Sequence, residues 1–132
     1  MESPAARRRT MQAVKSKNTS PEMQVRRLLH SRGYRFRLHK KNLPGCPDLV
    51  FPSKRKVIFV HGCFWHGHTC ARGARVPKSN TEYWIAKVDR NRVRDASTKK
   101  QLEALGWKEL VLWECELRNE PEFLQRVIHF LS

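Results

Sequence analysis

Apolar and polar positions along this chain recur with two periods, and each change of period marks the boundary of an element. Residues 1–18 carry little apolar pattern. In the tract TSPE, Thr19 or Ser20 can cap a helix, Pro21 suits its first turn, and Glu22 stands where a carboxylate favours the helix dipole. Val25, Leu28 and Leu29 form the stripe this helix would bury, and Gly33 ends it. The period then falls to two. YRFRLH alternates Tyr34, Phe36 and Leu38 with Arg35, Arg37 and His39, as in a strand with one wet, basic face. DLVF and KVIFVHG predict two further strands joined by the turn PSKR, the second apolar on both faces and so central in a sheet. SNTE at 79–82 reads as a second capping box, opening a long, mostly polar helix that ends near Gly106. WKELVLWE is a fourth strand, and Leu124, Val127, Ile128 and Leu131 then recur at helical spacing. Helix, three strands, helix, strand, helix predicts an α/β sandwich with a mixed sheet flanked by helices.

Length and charge sharpen this pattern. The chain has 132 residues, enough for one domain with a real core, so 19–132 is expected to be a single domain preceded by a flexible basic arm, 1–18. Lysine and arginine number 27 against 12 acidic residues, and a net charge of +15 favours a polyanion, usually nucleic acid. No segment approaches the ~20 apolar residues of a membrane span, and no apolar stretch follows the N-terminal arginines as in a secretory signal. The cytoplasm is the expected compartment. Thiols stay reduced there, so the four cysteines are read as ligands or buried thiols rather than two disulfides.

Candidate chemistry clusters around two strand ends. With a hairpin turn at residues 52–55, Asp48 faces Phe59 and shares a face with His61, ~7–8 Å away diagonally. Phosphodiester hydrolysis needs a Lewis acid, and Mg²⁺ is held by one or two carboxylates, carbonyl oxygens and waters. Asp48 can be the carboxylate, the Val60 carbonyl a second ligand, and Glu22 a support from the first helix. Equally, Asp48 can be a turn carboxylate and Glu22 an ordinary first-turn glutamate. Cys63, His68, Cys70 and Cys115 supply three thiolates and an imidazole, a permissible closed zinc shell, though small buried thiols are the plainer alternative. Cys46 is left out of that set. Phe64, Trp65 and Trp84 can wedge between base pairs or simply pack, whereas Trp107 and Trp113 are assigned to the core.

MQAVKSKNTSPE, LPGCPDLVF, VIFVHGCFWHGHTC, TEYWIAKVDRNRVRD and LGWKELVLWECELR, in this order and over nearly the whole chain, resemble the very short patch repair (Vsr) DNA mismatch endonucleases. The resemblance implies a bacterial, Mg²⁺-dependent enzyme with a restriction-endonuclease-like PD-(D/E)xK core and a structural Zn²⁺ site. Such enzymes nick duplex DNA 5′ of the thymine in a T:G mismatch, which arises when 5-methylcytosine deaminates. By resemblance Asp48 binds the catalytic metal with the Val60 carbonyl, and Glu22 steadies water around it. His61 offsets charge on the phosphate, and His66 is the general base oriented by Asp95. Cys63, His68, Cys70 and Cys115 hold zinc, and Phe64, Trp65 and Trp84 enter the DNA beside the mismatch. Val60 replaces a threonine common at its position, and Cys46 replaces a frequent arginine. The implied protein acts as a monomer at the nucleoid, with mismatch-repair proteins as further partners. Two other readings are a zinc-stabilised DNA-binding module without catalysis, which gives Asp48, His61 and His66 no role, and a restriction-type nuclease, which gives the wedge aromatics none.

Overall fold

The computed structural model describes residues 19–63, 70 and 80–132. Helix α1, Ser20–Ser31, starts at Thr19, whose Oγ1 accepts the Glu22 N–H at 3.4 Å. It closes through Gly33, whose φ of 89° lies in the left-handed region that glycine adopts without strain. Its buried residues are Glu22, Val25 and Leu29. These stand at i, i+3 and i+7, so the carboxylate continues the apolar stripe instead of facing water.

Four strands form one sheet in the order β1-β2-β3-β4: β1 is Arg37–Leu38, β2 Leu49–Phe51, β3 Lys56–His61 and β4 Lys108–Trp113. β1 to β3 are antiparallel and β4 runs parallel to β3, which gives the expected mixed sheet with β3 in its interior. Leu49↔Ile58, Val50↔Val57 and Phe51↔Lys56 are the pairs that the turn PSKR predicts. The strand expected over YRFRLH is shorter than its alternation: only Arg37 and Leu38 pair, at the exposed sheet edge. His39, with φ 46°, then turns the chain out of line.

Between β3 and β4 the chain forms α2, Thr81–Ala104, and after β4 a 3₁₀ turn leads to α3, Glu120–Leu131. Asn80 precedes α2 in a left-handed conformation (φ 54°) and makes no side-chain capping bond. Ser79, the capping residue of the box expected from SNTE, lies outside the described residues. Asn119 does cap α3, its Oδ1 accepting the Glu122 N–H.

The two faces of the sheet bury different helices. Leu49, Phe51, Ile58 and Leu112 pack with Val25 and Leu29 of α1 and with Phe123, Leu124, Val127 and Leu131 of α3. Val50, Val57 and Phe59 pack with Leu102 of α2. The even–odd split along β2 is the pleat period, with both faces covered. Trp107 and Trp113, expected in the core, are half-buried: Trp107, just before β4, packs against the Val50–Val57–Phe59–Leu102 cluster, and Trp113 is the last residue of β4. Gly45 (φ 75°) lets the loop before β2 run against α2. A Cβ there would stand 2.5 Å from Thr98 Cγ2 and 3.2 Å from the Phe59 ring. Among the described residues no helix is long and apolar enough to cross a membrane.

Candidate functional site

The site is built where β2 begins and β3 ends. Continued by two residues, the β2–β3 register brings Pro47 opposite Val60. In an antiparallel ladder such a pair exchanges two hydrogen bonds, but proline has no N–H to give the Val60 carbonyl. The partner N–H of Val60 is taken by the next residue: Asp48 Oδ2 accepts it at 2.7 Å. A residue's N–H and C=O point to the same side of a strand, so the Val60 carbonyl faces the same edge as the Asp48 carboxylate. Proline and aspartate in succession thus turn one rung of the sheet into two outward-facing oxygen donors.

Two further side chains converge there. Glu22 is 2% exposed, and both its oxygens meet His39 Nε2, at 3.0 and 2.9 Å, while Arg26 one turn on contacts Oε2 at 3.2 Å. His39 Nε2 lies 4.0 Å from Asp48 Oδ1, and the His39 N–H is donated to the Asp48 carbonyl at 3.3 Å. One ligand atom from each of Glu22, His39 and Asp48 lies within 4.8 Å of the other two. Burial raises the Asp48 carboxyl to about 7; the Val60 bond opposes the rise, and the neighbouring Glu22 adds to it. Two carboxyl groups held this close in a partly dry site favour a cation between them, and the donor set fits a divalent one. Sequence reasoning named Glu22, Asp48 and Val60 but not His39.

His61, the last residue of β3, is buried between two rings, 5.6 Å from Phe59 and 5.2 Å from Trp113 by centroid. Its Nδ1 is 4.0 Å from Asp95 Oδ2 on α2. Asp95 therefore reaches the first histidine of HGCFWHGH. His66, for which it was expected, lies outside the described residues, as do Phe64, Trp65 and His68.

Beyond His61 the three thiols of Cys63, Cys70 and Cys115 come together, with their sulfur atoms within 4.8 Å of one another. The Cys115 N–H is donated to Cys63 Sγ at 3.3 Å. Burial and the neighbouring thiols push the Cys63 thiol up to about 12, against the lowering effect of that N–H. Three clustered thiols, from Cys63 two residues after β3, from Cys70 and from Cys115 in the 3₁₀ turn after β4, are a donor set for a soft dication. Cys46 is not in this cluster. Trp84 stands in the first turn of α2 against Tyr83, ring centroids 5.2 Å apart, with Lys87 Nζ 5.9 Å from each ring. The buried residues of α2, Thr98 and Leu102, lie in its second half.

Comparison with known proteins gives a consistent result. The model of the family described as DNA mismatch endonuclease Vsr matches residues 1–72. The chain is 60% identical over 117 residues to a type II nicking enzyme, V.XorIIP, of Xanthomonas oryzae pv. oryzae, covering 89% of this chain and 85% of the relative. It is 44% identical to the type II nicking enzyme V.NmeAIP of Neisseria meningitidis over 89% of this chain and 83% of the relative. It is 39% identical to the DNA mismatch endonuclease Vsr of Escherichia coli over 94% of this chain and 79% of the relative.

Proposed function

The chain belongs to the Vsr family of DNA mismatch endonucleases, and we propose that it nicks one strand of duplex DNA 5′ of the thymine in a T:G mismatch, in a dication-dependent reaction. The observation that carries this reading is the paired oxygen edge made by Asp48 and Val60, opposite a proline that cannot fill it. The core is accordingly read as the restriction-endonuclease type, with Pro47 and Asp48 as its acidic motif and His61 in the place of its lysine.

Asp48 and the Val60 carbonyl would hold Mg²⁺ or a like ion, with Glu22 steadying water beside it. Bound there, the ion offsets charge on the phosphate and makes a nearby water more acidic. His61, fixed between Phe59 and Trp113, donates to a phosphate oxygen. His66 takes a proton from the attacking water, for which a pKa near neutrality suits histidine. Asp95, 4.0 Å from His61, is the carboxylate available to orient the histidines of this motif. Water attacks phosphorus, the bond to the 3′ oxygen breaks, and that oxygen takes a proton from solvent water, giving a 3′-hydroxyl opposite a 5′-phosphate.

The remaining residues serve recognition. A net charge of +15 binds the phosphates of the duplex. Phe64, Trp65 and Trp84 unstack the mismatched pair. Cys63, His68, Cys70 and Cys115 would hold Zn²⁺, which would fix in place the segment that carries two of those rings and His66. Nicking one strand at an asymmetric mismatch needs one active centre, so a monomer suffices, working on chromosomal DNA in the bacterial cytoplasm.

The test uses labelled duplexes that differ only in a T:G or a T:A pair. Nicking of the T strand in the first alone, dependent on added Mg²⁺, is expected; equal cleavage of both would remove the mismatch claim.

A further inference from the structure

We propose that His39 is a third donor of the Glu22–Asp48 site and biases it toward Mn²⁺, which accepts an imidazole nitrogen, over Mg²⁺. The inference rests on the reading of Asp48 as the residue that holds the dication. Its basis is geometric. His39 Nε2 lies 2.9 to 3.0 Å from the Glu22 oxygens and 4.0 Å from Asp48 Oδ1. Donors of a six-coordinate ion ~2.1 Å from each stand roughly 3 Å apart when adjacent and roughly 4.2 Å apart when opposite. The 4.0 Å between His39 Nε2 and Asp48 Oδ1 therefore suits two donors of one ion, with Nε2 giving up its hydrogen bond to Glu22, which is then left to hold the ion's water.

The His39 side chain is delivered to this point by its backbone. Its φ of 46° is a conformation that residues other than glycine rarely adopt, and its N–H is tied to the Asp48 carbonyl. In a continued β1 strand, His39 would have pointed with Arg35 and Arg37. The left-handed turn brings it instead to the carboxylates, where its side chain is 11% exposed.

The chemistry decides the ion. Mg²⁺ prefers an all-oxygen, largely hydrated shell, whereas Mn²⁺ keeps the same octahedral habit and tolerates nitrogen. Carboxylate, carbonyl and imidazole donors together therefore suit Mn²⁺ better than Mg²⁺. If His39 were only a cationic counterpart of Glu22 and Asp48, it would compete with both ions alike, and its removal would tighten both.

The test measures binding of Mn²⁺ and Mg²⁺ alone to the full chain by calorimetry, together with pulsed electron paramagnetic resonance of the Mn²⁺-loaded protein. Wild type is compared with His39→Gln, which can still donate a hydrogen bond to Glu22, and with His39→Ala; thermal melts confirm that each is folded. The expected result is a loss of Mn²⁺ affinity of about tenfold or more in both variants. Mg²⁺ affinity changes far less, and the ¹⁴N modulation on Mn²⁺ falls. An unchanged Mn²⁺/Mg²⁺ ratio, tighter binding of both ions, or undiminished ¹⁴N modulation would overturn the proposal. Asp48→Ala separates this from the underlying reading. If that variant loses Mn²⁺ while the His39 variants behave as wild type, only the His39 assignment fails; full Mn²⁺ binding by Asp48→Ala removes the site itself and the assignment with it.

Discussion

Asp48 accepts the Val60 N–H at 2.7 Å, while Pro47, its chain neighbour, falls opposite the same residue when the β2–β3 register is continued by two residues, with no N–H to return. One short dipeptide thus ends the β2–β3 ladder and leaves a carboxylate and a carbonyl oriented to one edge. The arrangement needs no dedicated loop, only a proline and an aspartate at the entrance to a strand.

The first consequence is a pH dependence. Asp48 is raised from 3.8 to about 7, chiefly by burial, so the metal-free native state holds its proton more tightly than the unfolded chain does. Stability of the metal-free protein therefore falls as pH rises from about 4 to about 7, and levels off above. Dication affinity runs the opposite way, rising up to about tenfold per pH unit until Asp48 is ionised near 7. Denaturant titrations and calorimetry across this range check both slopes. In Asp48→Asn, whose amide oxygen still accepts the Val60 N–H, this contribution to the stability slope disappears.

Gly45→Ala is expected to destabilise the fold by about 1–3 kcal/mol, combining a strained left-handed φ with overpacking. The added methyl would meet Thr98 Cγ2 at 2.5 Å. Thr98→Ser removes that atom, so the double variant recovers the packing part of the loss and keeps the backbone part. A double-mutant cycle by chemical denaturation measures the coupling.

Much of this was legible in the sequence for identifiable reasons. The turn PSKR set the β2–β3 register, and Asp48, just before β2, meets the end of β3 through the Val60 N–H. Glu22 carried a signal of its own, since its spacing to Val25 and Leu29 continues the buried stripe, yet first-turn chemistry alone would put it in water. His39 was not legible: alternation in YRFRLH assigns it to the wet face, and no residue type there announces a left-handed turn. Trp113 was read as core from its apolar strand. Its half-buried ring instead packs on His61, because β4 pairs with β3 in parallel with Trp113 level with His61.

The thiol cluster predicts a metal-dependent stability. Protein purified without chelator should carry about one equivalent of zinc, and chelation should lower the melting temperature sharply, since structural zinc contributes folding energy directly. Cys63→Ser should lose the metal. Cys46→Ser, outside the cluster, should keep it, and metal analysis of the two variants side by side checks the assignment.

Asp95→Asn removes the charge 4.0 Å from His61 Nδ1. The nicking rate at saturating enzyme should fall about 10–100-fold, the range seen when a carboxylate that orients a functional histidine is lost. Affinity for the duplex should change little, because Asp95 contributes no positive charge to phosphate binding. Single-turnover rates and equilibrium binding, measured separately, distinguish this from a general loss of structure.

The account turns on Asp48, and the most direct measurement is the single-turnover nicking rate of a T:G duplex by wild type and Asp48→Asn over a range of Mg²⁺ and Mn²⁺ concentrations. Wild type should cut the T strand at the bond 5′ of the mismatched thymine. Asp48→Asn should bind the same duplex with similar affinity and cut at least ~10²-fold more slowly, a loss on the scale of removing one charge-stabilising group. Wild-type rates from Asp48→Asn, at any concentration of either ion, would contradict it.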